Sequence, residues 1–124
     1  ADSGLDIGDS AITETFGLGG FAMAAAPAIV ALVGGTVTDA LNYSMEMESI
    51  TTGQNPNITI APLNFRGLAT GIDIMKVVQS NVLPVINTAI AHKDAGIGMI
   101  GAGITHPPYE AFQKAIVAFS QKFN

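Results

Sequence analysis

The strongest cluster of ionisable side chains in this sequence is His92-Lys93-Asp94, which lies between two apolar stretches. A histidine titrates near neutral pH and can act as a general acid or base. A neighbouring lysine can neutralise an oxyanion that develops during a reaction. We therefore predict His92 and Lys93 as catalytic residues. The alternative is an ordinary solvent-exposed loop between two strands.

A second candidate is Arg66, the single arginine of the chain, which is followed directly by Gly67. A guanidinium group can form two parallel hydrogen bonds with a carboxylate or a phosphate. This placement predicts that Arg66 binds an anionic substrate. The alternatives are a surface arginine or a structural ion pair with Asp73.

A glycine-rich turn, Gly17-Leu18-Gly19-Gly20, precedes an alanine-rich stretch that is predicted to be helical. Backbone N–H groups at the start of a helix attract anions. We predict Gly19 and Gly20 as anion-binding residues, and we include Asn87 in the same substrate-binding set. The turn lacks the Lys-Ser/Thr ending of a phosphate loop, and the alternative is tight packing of small residues.

These groups predict one anion-binding cleft, lined by Arg66 and the His92-Lys93 loop and completed by the Gly19-Gly20 turn. The carboxylates of Asp6, Asp9 and Glu14 could hold a hard cation, but their spacing matches no calcium loop. With two histidines and no cysteine the sequence has no zinc-ligand spacing. We predict no metal site and no cofactor.

The elements that must position these residues centre on an uncharged run over residues 15–38. Residues 21–33 are predicted to form a buried helix in which Pro27 causes a kink or starts a second helix. Thr36 and Asp39 have the spacing of a capping box at the start of the next helix. The remaining predicted elements are a turn over 53–57, extended structure over 58–65, a loop over 66–71, a helix over 72–80, strands over 83–91 and 97–104, and a helix after Pro107-Pro108.

This pattern predicts the α+β class: about four helices around a small sheet, with a buried Ala/Gly-rich central helix, in a single domain over residues 1–124.

Hydrophobic residues make up 48% of the chain and charged residues 12%. So few charges predict an oligomer or a piece of a larger protein. A net charge of −5 argues against a nucleic-acid partner, and the flanks of the apolar run lack the cations of a membrane span. The absence of cysteine favours the cytoplasm.

Three segments carry a resemblance to a known bacterial family. They are DIGDSAITETFGLGGFAMAAAPAI (residues 6–29), NFRGLATGIDI (64–74) and PVINTAIAHKDAGIGMIGAGITHPP (84–108). They resemble the C-terminal part of a family long described as a domain of unknown function. Its members are encoded beside an acyl-CoA-synthetase-like protein in purine and allantoin degradation clusters.

The resemblance implies a subunit of oxamate carbamoyltransferase, which interconverts oxalurate plus phosphate with oxamate plus carbamoyl phosphate. It also implies that this chain is one part of a longer protein. The expected partners are therefore a small anionic metabolite, such as oxamate, phosphate or carbamoyl phosphate, the remainder of its own chain, and partner subunits. The opposing hypothesis is a structural or assembly subunit whose catalysis lies in a partner protein.

Overall fold

The computed structural model describes residues 2–5 and 9–123 of the chain. Within these ranges helices alternate with two pairs of strands, which confirms the predicted α+β class. The α-helices are α1 (Asp9–Phe16), α2 (Pro27–Leu32), α3 (Val37–Ser49), α4 (Ile74–Ser80) and α5 (Tyr109–Phe123). The strands are β1 (Thr51–Ile60), β2 (Arg66–Ile72), β3 (Ile86–Ala91) and β4 (Met99–Thr105), and 3₁₀ segments cover Gly19–Ala25 and Ala61–Leu63.

The strands form two separate antiparallel pairs, β1–β2 and β3–β4, rather than one small sheet as predicted. The predicted turn over 53–57 and loop over 66–71 are wrong, because both segments lie within β1 and β2. Strand pairing therefore overrides the turn tendency of Gly and Asn residues in these segments. The pairing register of β1 with β2 shifts between Asn55 and Thr59. Pro56 lies in this interval and has no N–H to donate to a strand ladder.

The alanine-rich segment forms two short helices instead of one helix over 21–33. The 3₁₀ helix Gly19–Ala25 ends at Ala26, whose φ and ψ of −140° and 63° are not helical. Pro27 then begins α2, a position where its missing N–H costs least. Of the two predicted roles for Pro27, the second helix start is confirmed.

This segment is central to the fold but only partly buried. Phe21, Met23 and Val30 belong to the main core, and Ala24 lies in a neighbouring cluster with Leu68. The other buried residues of the main core lie on or directly after α3, on β2, on α4 and directly before β3. They are Ala40, Met47, Ile50, Ala69, Val77 and Val85. By contrast, Ala25 and Ala26 are exposed, so the prediction of a wholly buried helix is wrong for these positions.

The predicted capping box at the start of α3 is confirmed. The Asp39 N–H donates to Thr36 Oγ1 at 3.2 Å, and the Thr36 N–H donates to Asp39 Oδ2 at 2.7 Å. The Thr36 hydroxyl donates to the same carboxylate at 2.7 Å. The side-chain bond, followed by the backbone bond, lowers the pKa of Asp39 below its ordinary value. The box fixes where the chain turns from α2 into α3.

The C-terminal helix α5 has no buried side chain. It is joined to α4 by Tyr109, whose hydroxyl donates to the Val78 carbonyl oxygen at 3.1 Å. Large apolar side chains such as Val117, Phe119 and Phe123 are exposed on it. None of the helices in the described ranges is long and apolar enough to cross a membrane.

Neighbouring alanines on the central segment provide a matched test of this packing. Ala24 is 2% exposed, whereas Ala25 is exposed. We expect Ala24→Asp to lower the free energy of unfolding by more than about 3 kcal/mol, because it buries an uncompensated charge. Ala25→Asp should change it by less than about 1 kcal/mol. Urea unfolding of both variants measures the difference, and equal losses would contradict the described packing.

Candidate functional site

A buried carboxylate, Glu14, connects three separate parts of the chain. Its side chain belongs to α1 and the residue is 1% exposed. Its Oε1 atom accepts hydrogen bonds from the backbone N–H of Gly20 at 2.9 Å and of Asn87 at 3.0 Å. Glu14 thereby fixes the start of the 3₁₀ helix and the start of β3 against α1.

The glycines after α1 let the chain pass close to this carboxylate. The Gly17 N–H donates to the Glu14 carbonyl oxygen at 2.8 Å, which ends the helix. Gly19 follows at a φ of 60°, and a Cβ at this position would collide with Glu14 Oε1. A Cβ at Gly20 would collide with the Val85 carbonyl oxygen. Glycine at these two positions is therefore needed for close contact with both Glu14 and the β3 region.

A cavity of about 200 Å³ opens beside this turn. Among the described residues, Asn87 supplies the one lining side chain that carries a nitrogen or oxygen atom. No described group forms a hydrogen bond with the Asn87 carboxamide. The backbone N–H of the same residue donates to Glu14 Oε1. The cavity, hereafter the Gly19–Asn87 cavity, is lined by Gly19, Ala22, Met23, Ala25, Ala26, Ile29 and Asn87.

The second carboxylate oxygen of Glu14, Oε2, is also buried. Within residues 2–5 and 9–123 no group donates a hydrogen bond to it. Gly19 and Asn87 both contact the carboxylate and both line the cavity. The Glu14 carboxylate therefore lies directly behind the cavity wall, with two backbone N–H groups on Oε1 and no described donor on Oε2.

The structure thus brings three of the predicted site residues, Gly19, Gly20 and Asn87, to one place. The Gly20 N–H, which the sequence predicts to hold an external anion, donates instead to Glu14. In the sequence, Glu14 is one of three carboxylates considered as cation ligands, together with Asp6 and Asp9. Its position beside the uncharged run is the one signal in the sequence that it is buried. Of the other two, Asp6 and the side chain of Asp9 lie outside the described residues. The described part of the chain holds no group of three or more metal-ligating side chains.

Arg66 lies at the start of β2 and forms an ion pair that the sequence does not reveal. Its Nη1 is 2.8 Å from Glu48 Oε2, and its Nε donates to the Leu63 carbonyl oxygen at 3.3 Å. Asp73, the partner considered from the sequence, instead caps α4 by accepting from the N–H groups of Met75 and Lys76. Because 44% of the Arg66 side chain remains exposed, its guanidinium group is still accessible to a ligand.

His92 and Lys93 follow β3 and contact the N-terminal segment. His92 Nδ1 accepts a hydrogen bond from the Asp94 N–H at 3.0 Å, so the neutral ring carries its proton on Nε2. Lys93 Nζ is 3.2 Å from Asp2 Oδ1. Arg66 pairs with a residue of α3, whereas the His92-Lys93 loop pairs with the N-terminal segment. The single cleft formed by all three side chains stays a prediction.

Comparison with known proteins shows which proteins this chain is similar to. No protein-family model matches the sequence. The chain is 66% identical over 122 residues to the uncharacterized protein YahG of Escherichia coli strain K12, covering 98% of this chain and 26% of YahG. It is 47% identical over 117 residues to the oxamate carbamoyltransferase subunit AllG of the same organism, covering 94% of this chain and 28% of AllG.

The 47% identity to AllG confirms the resemblance to an oxamate carbamoyltransferase subunit. A crystal structure of a conserved protein of unknown function from Enterococcus faecalis V583 shares the fold with a TM-score of 0.90 and 66% identity. That match covers 99% of this chain and 29% of the solved chain. This sequence therefore spans little more than a quarter of the length of each of these relatives.

Removing the Glu14 carboxylate tests whether it holds the site together. Glu14→Ala leaves the buried Gly20 N–H and the partly buried Asn87 N–H without their acceptor. Hydrogen bonds to charged groups contribute about 1.5 to 3 kcal/mol each. We expect a loss of at least about 2 kcal/mol in the free energy of unfolding, measured with urea. Glu46→Ala, on the exposed face of α3, is the control and should stay within about 0.5 kcal/mol. Similar values for the two variants would contradict this role.

Proposed function

We propose that this chain is part of a carbamoyltransferase subunit that interconverts oxalurate plus phosphate with oxamate plus carbamoyl phosphate. The observation that carries the proposal is its 47% identity, over 94% of its length, to a protein named as an oxamate carbamoyltransferase subunit. The rest of the polypeptide and the partner subunits would supply the groups that this chain lacks.

The reaction defines what the site must provide. In the direction of oxalurate breakdown, a phosphate oxygen attacks the carbamoyl carbon and the bond from that carbon to the ureide nitrogen breaks. The leaving nitrogen takes a proton from the phosphate, directly or through a side chain, and becomes the amide of oxamate. The enzyme therefore needs cations for phosphate and carboxylate, a proton carrier near the leaving nitrogen, and contacts for two amide groups.

The residues of this chain supply several of these needs. His92 is our proposed proton carrier, because its neutral ring presents an N–H at Nε2 while Nδ1 is occupied by the Asp94 N–H. Arg66 and Lys93 are the proposed contacts for phosphate or carboxylate groups, and each is paired with an acidic neighbour. Gly19 and Asn87 line the proposed substrate cavity, and the Gly20 N–H holds Glu14 beside it.

A second function, subunit assembly without catalysis, is favoured by a different observation. Large apolar side chains are exposed on α5, at the start of β4 and on the connection before it, and they include Ile97, Met99, Ile100, Val117, Phe119 and Phe123. Apolar surface of this extent is typical of contacts with other protein surfaces. In this alternative the domain packs against the rest of the enzyme, and the reacting groups come from elsewhere.

Phosphate-dependent release of carbamoyl phosphate from oxalurate distinguishes the two functions. The assay uses the intact protein assembled with its partner subunits. We expect His92→Gln to lower kcat by about a hundredfold or more, as is usual for loss of a general acid or base, without altering assembly. The matched control is His106→Gln, at the other histidine, which should retain activity within about threefold.

Two results would count against the catalytic proposal. One is a wild-type complex that forms no carbamoyl phosphate from oxalurate and phosphate. The other is a His92→Gln complex with wild-type kcat, which would favour the assembly role of this domain.

A further inference from the structure

We propose that the Gly19–Asn87 cavity binds the uncharged amide end of oxamate through the Asn87 side chain, and that the Glu14 carboxylate excludes carboxylate and phosphate groups from it. This inference rests on the proposed function and assigns one end of one substrate to one cavity. It differs from the sequence-based expectation that the Gly19-Gly20 turn binds an anion.

The first argument is that the backbone donors of the turn are already in use. An anion held at Gly20 and Asn87 would need their N–H groups, but both donate to Glu14 Oε1, at 2.9 Å and 3.0 Å. The protein's own carboxylate thus occupies the position where a bound anion would lie. A ligand in the adjoining cavity therefore faces the Glu14 carboxylate and not free N–H donors.

The second argument is the lack of a nearby compensating cation. Arg66 pairs with Glu48, Lys93 pairs with Asp2, and Lys76 donates from Nζ to the Thr51 carbonyl oxygen at 2.6 Å. No described residue provides a positive side chain in the cavity lining. Apart from Asn87, the lining side chains are apolar, so they offer an incoming anion neither a positive charge nor a hydrogen bond to offset repulsion by the Glu14 carboxylate. A neutral amide with N–H donors avoids this repulsion and is favoured by the negative potential.

The third argument is the chemistry of Asn87. A carboxamide offers one acceptor oxygen and two N–H donors, so it can form a pair of hydrogen bonds with another primary amide. The other lining residues are glycine, alanine, methionine and isoleucine. An amide entering this cavity of about 200 Å³ therefore depends on Asn87 for direct side-chain hydrogen bonds.

Oxamate and oxalate provide a matched pair of ligands, because they differ by replacement of the amide with a second carboxylate. Their affinities for the intact, assembled protein can be measured by titration calorimetry. We expect wild type to bind oxamate at least tenfold more tightly than oxalate. Asn87→Leu should weaken oxamate binding at least tenfold, and the control Asn42→Leu, on the exposed side of α3, should leave it unchanged.

Two further variants test the electrostatic part of the proposal. Glu14→Gln keeps an oxygen that can accept from Gly20 and Asn87 but removes the charge, so the preference for oxamate over oxalate should fall at least tenfold. Ala26→Lys places a cation at an exposed position of the cavity lining. It should shift the preference toward oxalate in the same direction even where Glu14→Gln is too unstable to assemble.

Equal wild-type affinity for the two ligands, no measurable oxamate binding, an unchanged oxamate affinity in Asn87→Leu, or an unchanged preference in Ala26→Lys would overturn the inference. These outcomes are separable from failure of the proposed function. A complex that shows the expected ligand preference but no carbamoyl transfer contradicts the proposed function alone. A complex that transfers carbamoyl groups but shows none of the expected changes in preference contradicts this inference alone.

Discussion

The buried carboxylate of Glu14 is the interaction on which the arrangement of the site depends. One of its oxygens accepts from the backbone of Gly20 and from the backbone of Asn87, which lies 73 residues away in the sequence. Burying a carboxylate is costly unless hydrogen bonds compensate its lost hydration. The fold offsets part of this cost by placing two N–H groups on Oε1, while Oε2 has no donor among the described residues. The glycine turn is what allows the backbone to come so close.

This internal anion changes the chemistry of the glycine-rich turn. Taken alone, the turn has the donors of an anion site; with Glu14 in place, those donors hold a charge that belongs to the protein. Arg66 and Lys93, the two cationic side chains proposed to bind anions, lie elsewhere in the chain and are paired with Glu48 and Asp2. The proposal that follows is a division of labour, in which the turn receives an amide and cations elsewhere in the enzyme receive the anionic groups.

Local features of this fold could be predicted from the sequence, and features that depend on distant contacts could not. The capping box of Thr36 and Asp39, the helix start at Pro27 and the helix after Pro107-Pro108 each depend on a few neighbouring residues. The pairing of β1 with β2 runs through Gly-, Asn- and Pro-containing segments whose local preference is a turn. Only the partner strand makes these segments extended.

The same distinction applies to the site. The residue types of Gly19, Gly20 and Asn87 suggest binding, and the structure brings them together. The partner of Arg66 could not be inferred, because Glu48 is 18 residues away and belongs to a separate helix. The role of Glu14 is hidden for a similar reason, since nothing beside it in the sequence shows which N–H groups it will meet.

Amide hydrogen exchange at Gly20 and Asn87 tests the role of Glu14 most directly. In the wild-type protein both amides should exchange slowly, and in Glu14→Ala both should accelerate, by roughly tenfold to a hundredfold for loss of a charge-assisted bond. The reference is the buried Ala24 N–H, which donates to Ser44 Oγ at 3.0 Å. Its own hydrogen bond stays in place, so it should accelerate less than Gly20 and Asn87, and only as far as the overall loss of stability requires. Unchanged exchange at Gly20 or Asn87, or equal acceleration at Ala24, would contradict the account of Glu14 as the group that organises this site.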